Sequence, residues 1–139
     1  VWNNPFYGSL IRNAEYLPVR EGLDEIMPHL RSLIERGYSI AVYPEGTRSK
    51  DCSIGRFHQG AFYMAREFGL EILPMILYGP GRILPKTGWH LHKGKFFVEV
   101  DKPLTQEELS AMGDLKQQAS TMRKRYKEKY EEIANRIEQ

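Results

Sequence analysis

With 139 residues, 41% of them hydrophobic and 27% charged, the chain suits one compact domain with a real core and excludes a disordered tail or low-complexity linker. Its 20 Lys and Arg against 18 Asp and Glu leave a formal charge of +2, and this weak, mixed bias does not give the clustered basic face that nucleic-acid binding needs. A single cysteine, Cys52, excludes an internal disulfide and a cysteine zinc cluster, and no apolar run reaches the roughly 18 residues of a membrane span.

The first stretch, Val1 to Tyr16, carries Trp2, Phe6, Tyr7, Leu10 and Ile11. Phe6 and Leu10 share a helical face, and Pro5 suits a first turn. Tyr16 to Val19 reads as an extended or edge segment because Pro18 interrupts it, and Arg20, Glu21 and Gly22 turn the chain. A helix is predicted from Asp24 to Arg36, with Ile26, Met27, Leu30, Leu33 and Ile34 at helical spacing, Pro28 near its first turn and Gly37 as its stop. Ser39 to Tyr43 is a short apolar run of the kind buried on both faces of a sheet.

A polar, glycine-bearing loop follows from Pro44 to Arg56. Phe57 to Phe68 is predicted helical, with Phe57, Ala61, Met64, Ala65 and Phe68 on one face, and Gly69 ends it. Glu71 to Tyr78 is a strand pattern interrupted by Pro74. Gly79, Pro80 and Gly81 break the chain, and Phe96 to Val100 is a further strand closed by Pro103. Leu115, Ala119, Met122, Tyr126, Tyr130, Ile133 and Ile137 recur at intervals of three or four, the stripe of one long amphipathic helix. Alternating helices and strands imply an α/β fold, a mixed and partly parallel sheet with flanking helices and this long C-terminal helix. We expect residues 1–103 to form one part and residues 104–139 a helical extension packing on it or on a region outside the chain.

Chemistry concentrates in Tyr43-Pro44-Glu45-Gly46-Thr47-Arg48-Ser49, directly after a predicted strand, where functional loops gather. Glu45 can accept hydrogen bonds or a proton, Gly46 allows a tight turn, and Arg48 can grip a phosphate with paired charged hydrogen bonds. A solvated turn in which Glu45 and Arg48 simply pair with each other is the alternative.

This segment resembles the Phe-Pro-Glu-Gly-Thr-Arg-Ser signature of the glycerol-phosphate and lysophosphatidate acyltransferase family. Tyr16-Leu17-Pro18-Val19-Arg20 resembles the family block that ends in a phosphate-binding arginine. Gly55-Arg56-Phe57-His58-Gln59-Gly60-Ala61 resembles the stretch after the signature, with His58 and Gln59 in place of its basic pair, and Ile72-Leu73-Pro74-Met75-Ile76 resembles the last block. Together they span roughly Trp2 to Pro103, in the family's order.

The resemblance implies transfer of a fatty acyl group from acyl-CoA or acyl carrier protein to a glycerophosphate or lysophospholipid hydroxyl, with no bound cofactor and no metal. It implies substrate binding by Arg20, Glu45, Gly46, Thr47 and Arg48, with Glu45 as the candidate for a catalytic role, and work at the cytoplasmic face of a membrane. In the family a His-x-x-x-x-Asp motif supplies the general base. The four histidines here, His29, His58, His90 and His92, have no aspartate five positions on. We therefore expect a soluble, inactive C-terminal part of a domain whose upstream segment carries the motif. A degenerate relative, serving as a non-catalytic lipid-phosphate module, is the alternative.

Several residues read more plainly. Lys50 is a solvated charge or an aid to an anionic head group, and His58 a polar residue at a helix start. Cys52 is incidental, and His90 and His92 lack the further ligands a metal needs. Trp89, Phe96 and Phe97 can touch lipid or fill core. Arg20 and Arg48 are expected to face one shared pocket.

Overall fold

A computed structural model of the chain describes residues 22–86 and 90–138. The opening stretch through Arg20 and the indole Trp89 lie outside the described residues. The chain divides into two compact units, Val1–Ala41 and Val42–Gln139.

In the first unit, helix α1 spans Leu23–Glu35 and buries Leu30 and Leu33. Pro28 lies inside it, so the bond its nitrogen would make to the carbonyl of Asp24 is absent. The helix ends as the glycine signal predicts. Gly37 donates to the Ile34 carbonyl at 2.9 Å and Tyr38 to the Leu33 carbonyl at 3.0 Å, the paired bonds that satisfy a helix C-terminus when a left-handed residue follows it.

The second unit holds helix α2 (Gly60–Phe68), strand β1 (Met75–Tyr78), the short helix α3 (Pro80–Ile83), strand β2 (Phe97–Val100), helix α4 (Gln106–Ala111) and helix α5 (Leu115–Glu138). β1 and β2 pair antiparallel, with Met75 opposite Val100 and Tyr78 opposite Phe97. A further bridge joins Ile72 to Leu104. Between these pairings Leu73 and Pro74 face Asp101, Lys102 and Pro103, two residues against three, so the second strand bulges. The bulge falls where prolines withhold ladder donors. Its Asp101 amide still reaches the Pro74 carbonyl at 3.0 Å.

Two expectations are corrected. Ser39 to Tyr43 forms no strand among the described residues, and Val42 and Tyr43 are exposed. An apolar run becomes a buried strand only when neighbours supply ladder partners and cover its faces, and none of the described residues does so. The sheet pairing among the described residues is antiparallel, and the parallel part expected of the sheet is not found there, because Ser39 to Tyr43 supplies no strand. Phe96 and Phe97 also remain exposed.

The core is organised by α5. Its upper stripe, Leu115, Ala119 and Met122, packs with Phe57, Phe62, Ala65, Leu104 and Leu109. Its lower stripe, Tyr130, Ile133 and Ile137, packs with Ile76 and Tyr78 from the inner face of β1. Tyr126 belongs to both clusters. Its ring meets that of Phe57 edge-on at 5.1 Å, and its hydroxyl oxygen accepts the Met75 amide at 3.2 Å. Burial of this ring pushes the Tyr126 hydroxyl pKa above its ordinary value. Ile76 and Ile133 are almost wholly buried, each stabilising by about 1.5–3 kcal/mol on burial. Among the described residues no helix is long and apolar enough to cross a membrane.

Charges lock β2 to the same helix. Arg125 stands 2.7 Å from the Asp101 carboxylate and Lys129 3.6 Å from it, while Arg136 stands 2.6 Å from Glu99. The Lys102 amide bond to the Asp101 carboxylate, with the charges of Arg125 and Lys129 working against burial, holds its pKa below the ordinary carboxylate value. A carboxylate depressed in this way contributes stability that is fully present above its unfolded pKa, near 4, and is lost as pH falls through the lower folded value. Asp101→Asn should lower unfolding stability near neutral pH by about 1 kcal/mol. The gap to the unsubstituted chain should narrow in urea titrations run below about pH 4.

Candidate functional site

The Glu45-to-Arg48 segment is a tight turn tied to the loop that precedes α2. The Gly46 amide donates to the Tyr43 carbonyl at 3.0 Å, and Gly46 adopts a φ of 64°, a conformation that costs most other residues strain. A Cβ at Gly46 would also come within 3.4 Å of the His58 ring. A second tie runs from the His58 amide to the Pro44 carbonyl at 2.8 Å.

The carboxylate of Glu45 turns inward along this tie. Its Oε2 accepts the Gly55 amide at 2.6 Å, a short charge-assisted bond. Glycine is required at 55 for a steric reason, since a Cβ there would lie 2.8 Å from Oε2. The carbonyl of Gly55 in turn accepts Nε of Arg123 on α5 at 2.6 Å. Glu45 and Arg48 form no ion pair, so the solvated turn in which they neutralise each other is not what the loop does.

The other half of the loop faces the segment after α3. Nη1 of Arg48 donates to the Leu84 carbonyl at 3.3 Å, and Nζ of Lys86 donates to Oγ1 of Thr47 at 2.8 Å. Both cations thus rest on neutral acceptors, and among the described residues no carboxylate lies within ion-pair distance of either. Beside the Leu84 carbonyl opens an apolar hollow of about 240 Å³ lined by Leu77, Pro80, Ile83, Leu84 and Phe96.

The stretch between signature and helix is shaped by Asp51. Its Oδ1 accepts both the hydroxyl and the amide of Ser53, at 2.7 and 3.1 Å, which holds the Asp51 pKa below its ordinary value. Cys52 between them sits at a φ of 62° and is half-buried with its thiol free. Its Sγ lies close enough to Gly81 that a Cβ there would approach it to 2.7 Å. Among the described residues no group of three or more His, Cys, Asp and Glu is arranged to hold a metal.

The structure therefore brings Glu45, Gly46, Thr47 and Arg48 into one turn, while Arg20, and with it the pocket it was expected to share with Arg48, lies outside the described residues. Three participants were not singled out in the sequence. Arg123 lies among mixed charges on the C-terminal helix, where nothing local marks it. Lys86 followed a glycine- and proline-broken segment with no periodicity to place it. Gly55 was quoted for its resemblance alone, and no sequence signal marks a glycine whose purpose is to let a carboxylate approach.

Gly55→Ala should displace the Glu45 carboxylate and leave the amide at 55 without its acceptor. A loss of about 1–3 kcal/mol in unfolding stability is expected, with faster amide exchange over the segment from Ser53 to His58. Unaltered exchange there would show that the contact is not formed in solution.

The family model described as Acyltransferase matches residues 1–78, more than half of the 139. A chloroplastic 1-acyl-sn-glycerol-3-phosphate acyltransferase of Arabidopsis thaliana, LPAT1, is 42% identical over 74 residues, covering 52% of the chain and 20% of that protein. A 1-acyl-sn-glycerol-3-phosphate acyltransferase of Pseudomonas aeruginosa is 33% identical over 67 residues, covering 48% and 26%. The crystal structure of the 1-acyl-sn-glycerophosphate acyltransferase PlsC from Thermotoga maritima superposes with a TM-score of 0.73 over 94% of the chain and 53% of its own, at 24% identity. That likeness shows the fold, a partial α/β acyltransferase fold with a long C-terminal helix. The chain spans a fifth to a quarter of the length of these two relatives.

Proposed function

The chain belongs to the acyltransferase family, and from that premise we propose that its parent protein moves a fatty acyl group from acyl-CoA or acyl carrier protein to the free hydroxyl of a lysophosphatidate-like acceptor. The observation that carries this reading is the turn at Glu45 to Arg48. Its acid is pinned by the Gly55 amide, and its cations, Arg48 and the neighbouring Lys86, are held by a carbonyl and a hydroxyl that leave their charge unneutralised. The names of the relatives support the same acceptor class.

In the reaction so read, the acceptor's hydroxyl oxygen attacks the thioester carbonyl carbon, the carbon–sulfur bond breaks, and the sulfur leaves as a thiolate that takes up the proton a general base has drawn from the hydroxyl. By the family resemblance that base is the histidine of the His-x-x-x-x-Asp motif, which the residues from Val1 to Gln139 do not contain. Arg48 is assigned the acceptor phosphate, with Arg20 as its proposed second arm. Gly46 and Thr47 offer the phosphate an amide and a hydroxyl. Glu45 is assigned the shaping of the acceptor site and a hydrogen bond to the glycerol part, in contact with substrate. The apolar hollow beside Leu84 gives the first carbons of an acyl chain a dry wall. The cytoplasmic membrane surface is the proposed place of action, since an acyl chain partitions into lipid while phosphate and thioester carrier stay in water.

Incubated alone with an acyl thioester and lysophosphatidate, the 139-residue chain should form no protein-dependent phosphatidate, for want of the base. Robust turnover would overturn the role assigned to the upstream motif.

In the full-length parent, Arg48→Ala should lower kcat/KM for phosphorylated acceptors by about ten- to hundredfold, the worth of one hydrogen bond to a charged group. The melting temperature should hardly move, as Arg48 is an exposed side chain. An unchanged acceptor KM with normal turnover would remove Arg48 from the acceptor site.

A further inference from the structure

The signature loop does not hold its acid by itself. Glu45 is oriented by the Gly55 amide, and the residue that fixes Gly55 lies 68 positions further along the chain, on α5, where Nε of Arg123 reaches the Gly55 carbonyl at 2.6 Å. We infer that Arg123 is a positioning residue, which sets the orientation of Glu45 from the C-terminal helix through the backbone of Gly55. The inference rests on the role given to Glu45 above and adds the element that controls it.

Three observations converge on this path. The two hydrogen bonds at Gly55 are both 2.6 Å and use both of its backbone groups. The residue is glycine where any Cβ would strike Oε2 at 2.8 Å, so the loop is shaped for the carboxylate to sit there. The ends of the path are also built on rigid ground. Met122 and Tyr126, on either side of Arg123, belong to the core packing, and Tyr126 packs on Phe57, two residues beyond Gly55. Arg123 therefore projects from a fixed helix onto the backbone of Gly55, between Ile54 and Phe57 of the same core. A planar guanidinium suits this task, because its Nε–H points in a fixed direction from a half-buried stem. Removing it leaves the Gly55 carbonyl without that donor and frees the 54–56 backbone to drift, carrying the carboxylate with it. Displacements of about 1 Å at a reacting site cost up to about a hundredfold in rate.

The test uses the full-length parent with Arg123→Ala, Glu45→Ala and the double variant. Each is assayed for kcat and KM with lysophosphatidate and an acyl thioester, per folded molecule, beside hydrogen exchange of the peptide containing Gly55. Arg123→Ala should lower kcat/KM about ten- to hundredfold and speed exchange at Gly55. The double variant should be no slower than Glu45→Ala, since residues acting through one contact are not additive. If Arg123→Ala does not fold, Arg123→Lys, which keeps the charge but shifts the donor, is read the same way with a smaller loss. Unchanged kcat/KM, unchanged exchange, or a multiplicative loss in the double variant overturns the inference while Glu45→Ala remains impaired. Full activity in Glu45→Ala, by contrast, overturns the assignment of Glu45 itself, and the positioning role of Arg123 falls with it.

Discussion

Burial of one face of α5 is the constraint on which the rest of the second unit depends. A 24-residue helix with this charge density has little reason to persist alone in water. Its stripe is satisfied twice over, first by α2 and the residues around Leu104 and Leu109, then by the inner face of β1. The helix thereby joins elements that make few contacts with one another. A two-stranded ribbon is marginal by itself, and β1–β2 is supported because Ile76 and Tyr78 lie on Ile133 and Tyr130. The loop before α2 is supported because Phe57 lies on Tyr126. The same rigid rod therefore sets both the strand that follows the site and the loop that carries its acid.

Electrostatics sharpens what packing begins. Asp101 and Glu99 point from β2 and its bulge toward Arg125, Lys129 and Arg136. Each pair taken singly contributes little at a surface. Arranged along one helix face, they choose between registers, because a slip of one residue along β2 would turn Glu99 away from its cations and bring an apolar neighbour to face them. At the other end Gln106 donates to the carbonyls of Ala65 in α2 and Leu70 just beyond it. It closes the C-terminus of α2 with a side chain from α4. Charged and amide contacts thus specify the alignment, and apolar burial supplies the free energy.

Much of this was legible from local patterns. The α5 stripe was plain because seven apolar residues in strict helical spacing admit one reading, and the stop of α1 was plain because Gly37 after Arg36 fits a left-handed cap. The turn at Glu45 to Arg48 was marked by its residue types. Helix α4 went unread although Thr105 and Glu108 carry a capping box, with each side chain bonding the other's amide; the box is short and its helix has only one fully buried residue, Leu109. Ser39 to Tyr43 forms no strand among the described residues because apolar composition reports what a segment would bury, and none of the described residues supplies it with a ladder partner. Phe62 is more deeply buried than Ala61 on α2, a matter of where α5 approaches, which periodicity inside one helix cannot contain. Arg123 and Lys86 escaped for the same reason. Both act across long separations, and a charge on a helix face or in a loop carries no local sign of the carbonyl or hydroxyl it will meet.

The arrangement of charge at the turn follows from these distances. A carboxylate and a cation three positions apart on one loop can neutralise each other, and Glu45 and Arg48 are near enough in sequence to do so. They are kept apart because each finds another partner first. Gly55 captures the carboxylate with a backbone donor, while Leu84 and Thr47 receive Arg48 and Lys86 with neutral oxygens. A neutral acceptor fixes where a cation sits without cancelling its field, whereas a carboxylate would do both. Cations held in this way keep their charge available to an anion. The unneutralised charge of the turn therefore depends on the glycine at 55 that draws the acid aside.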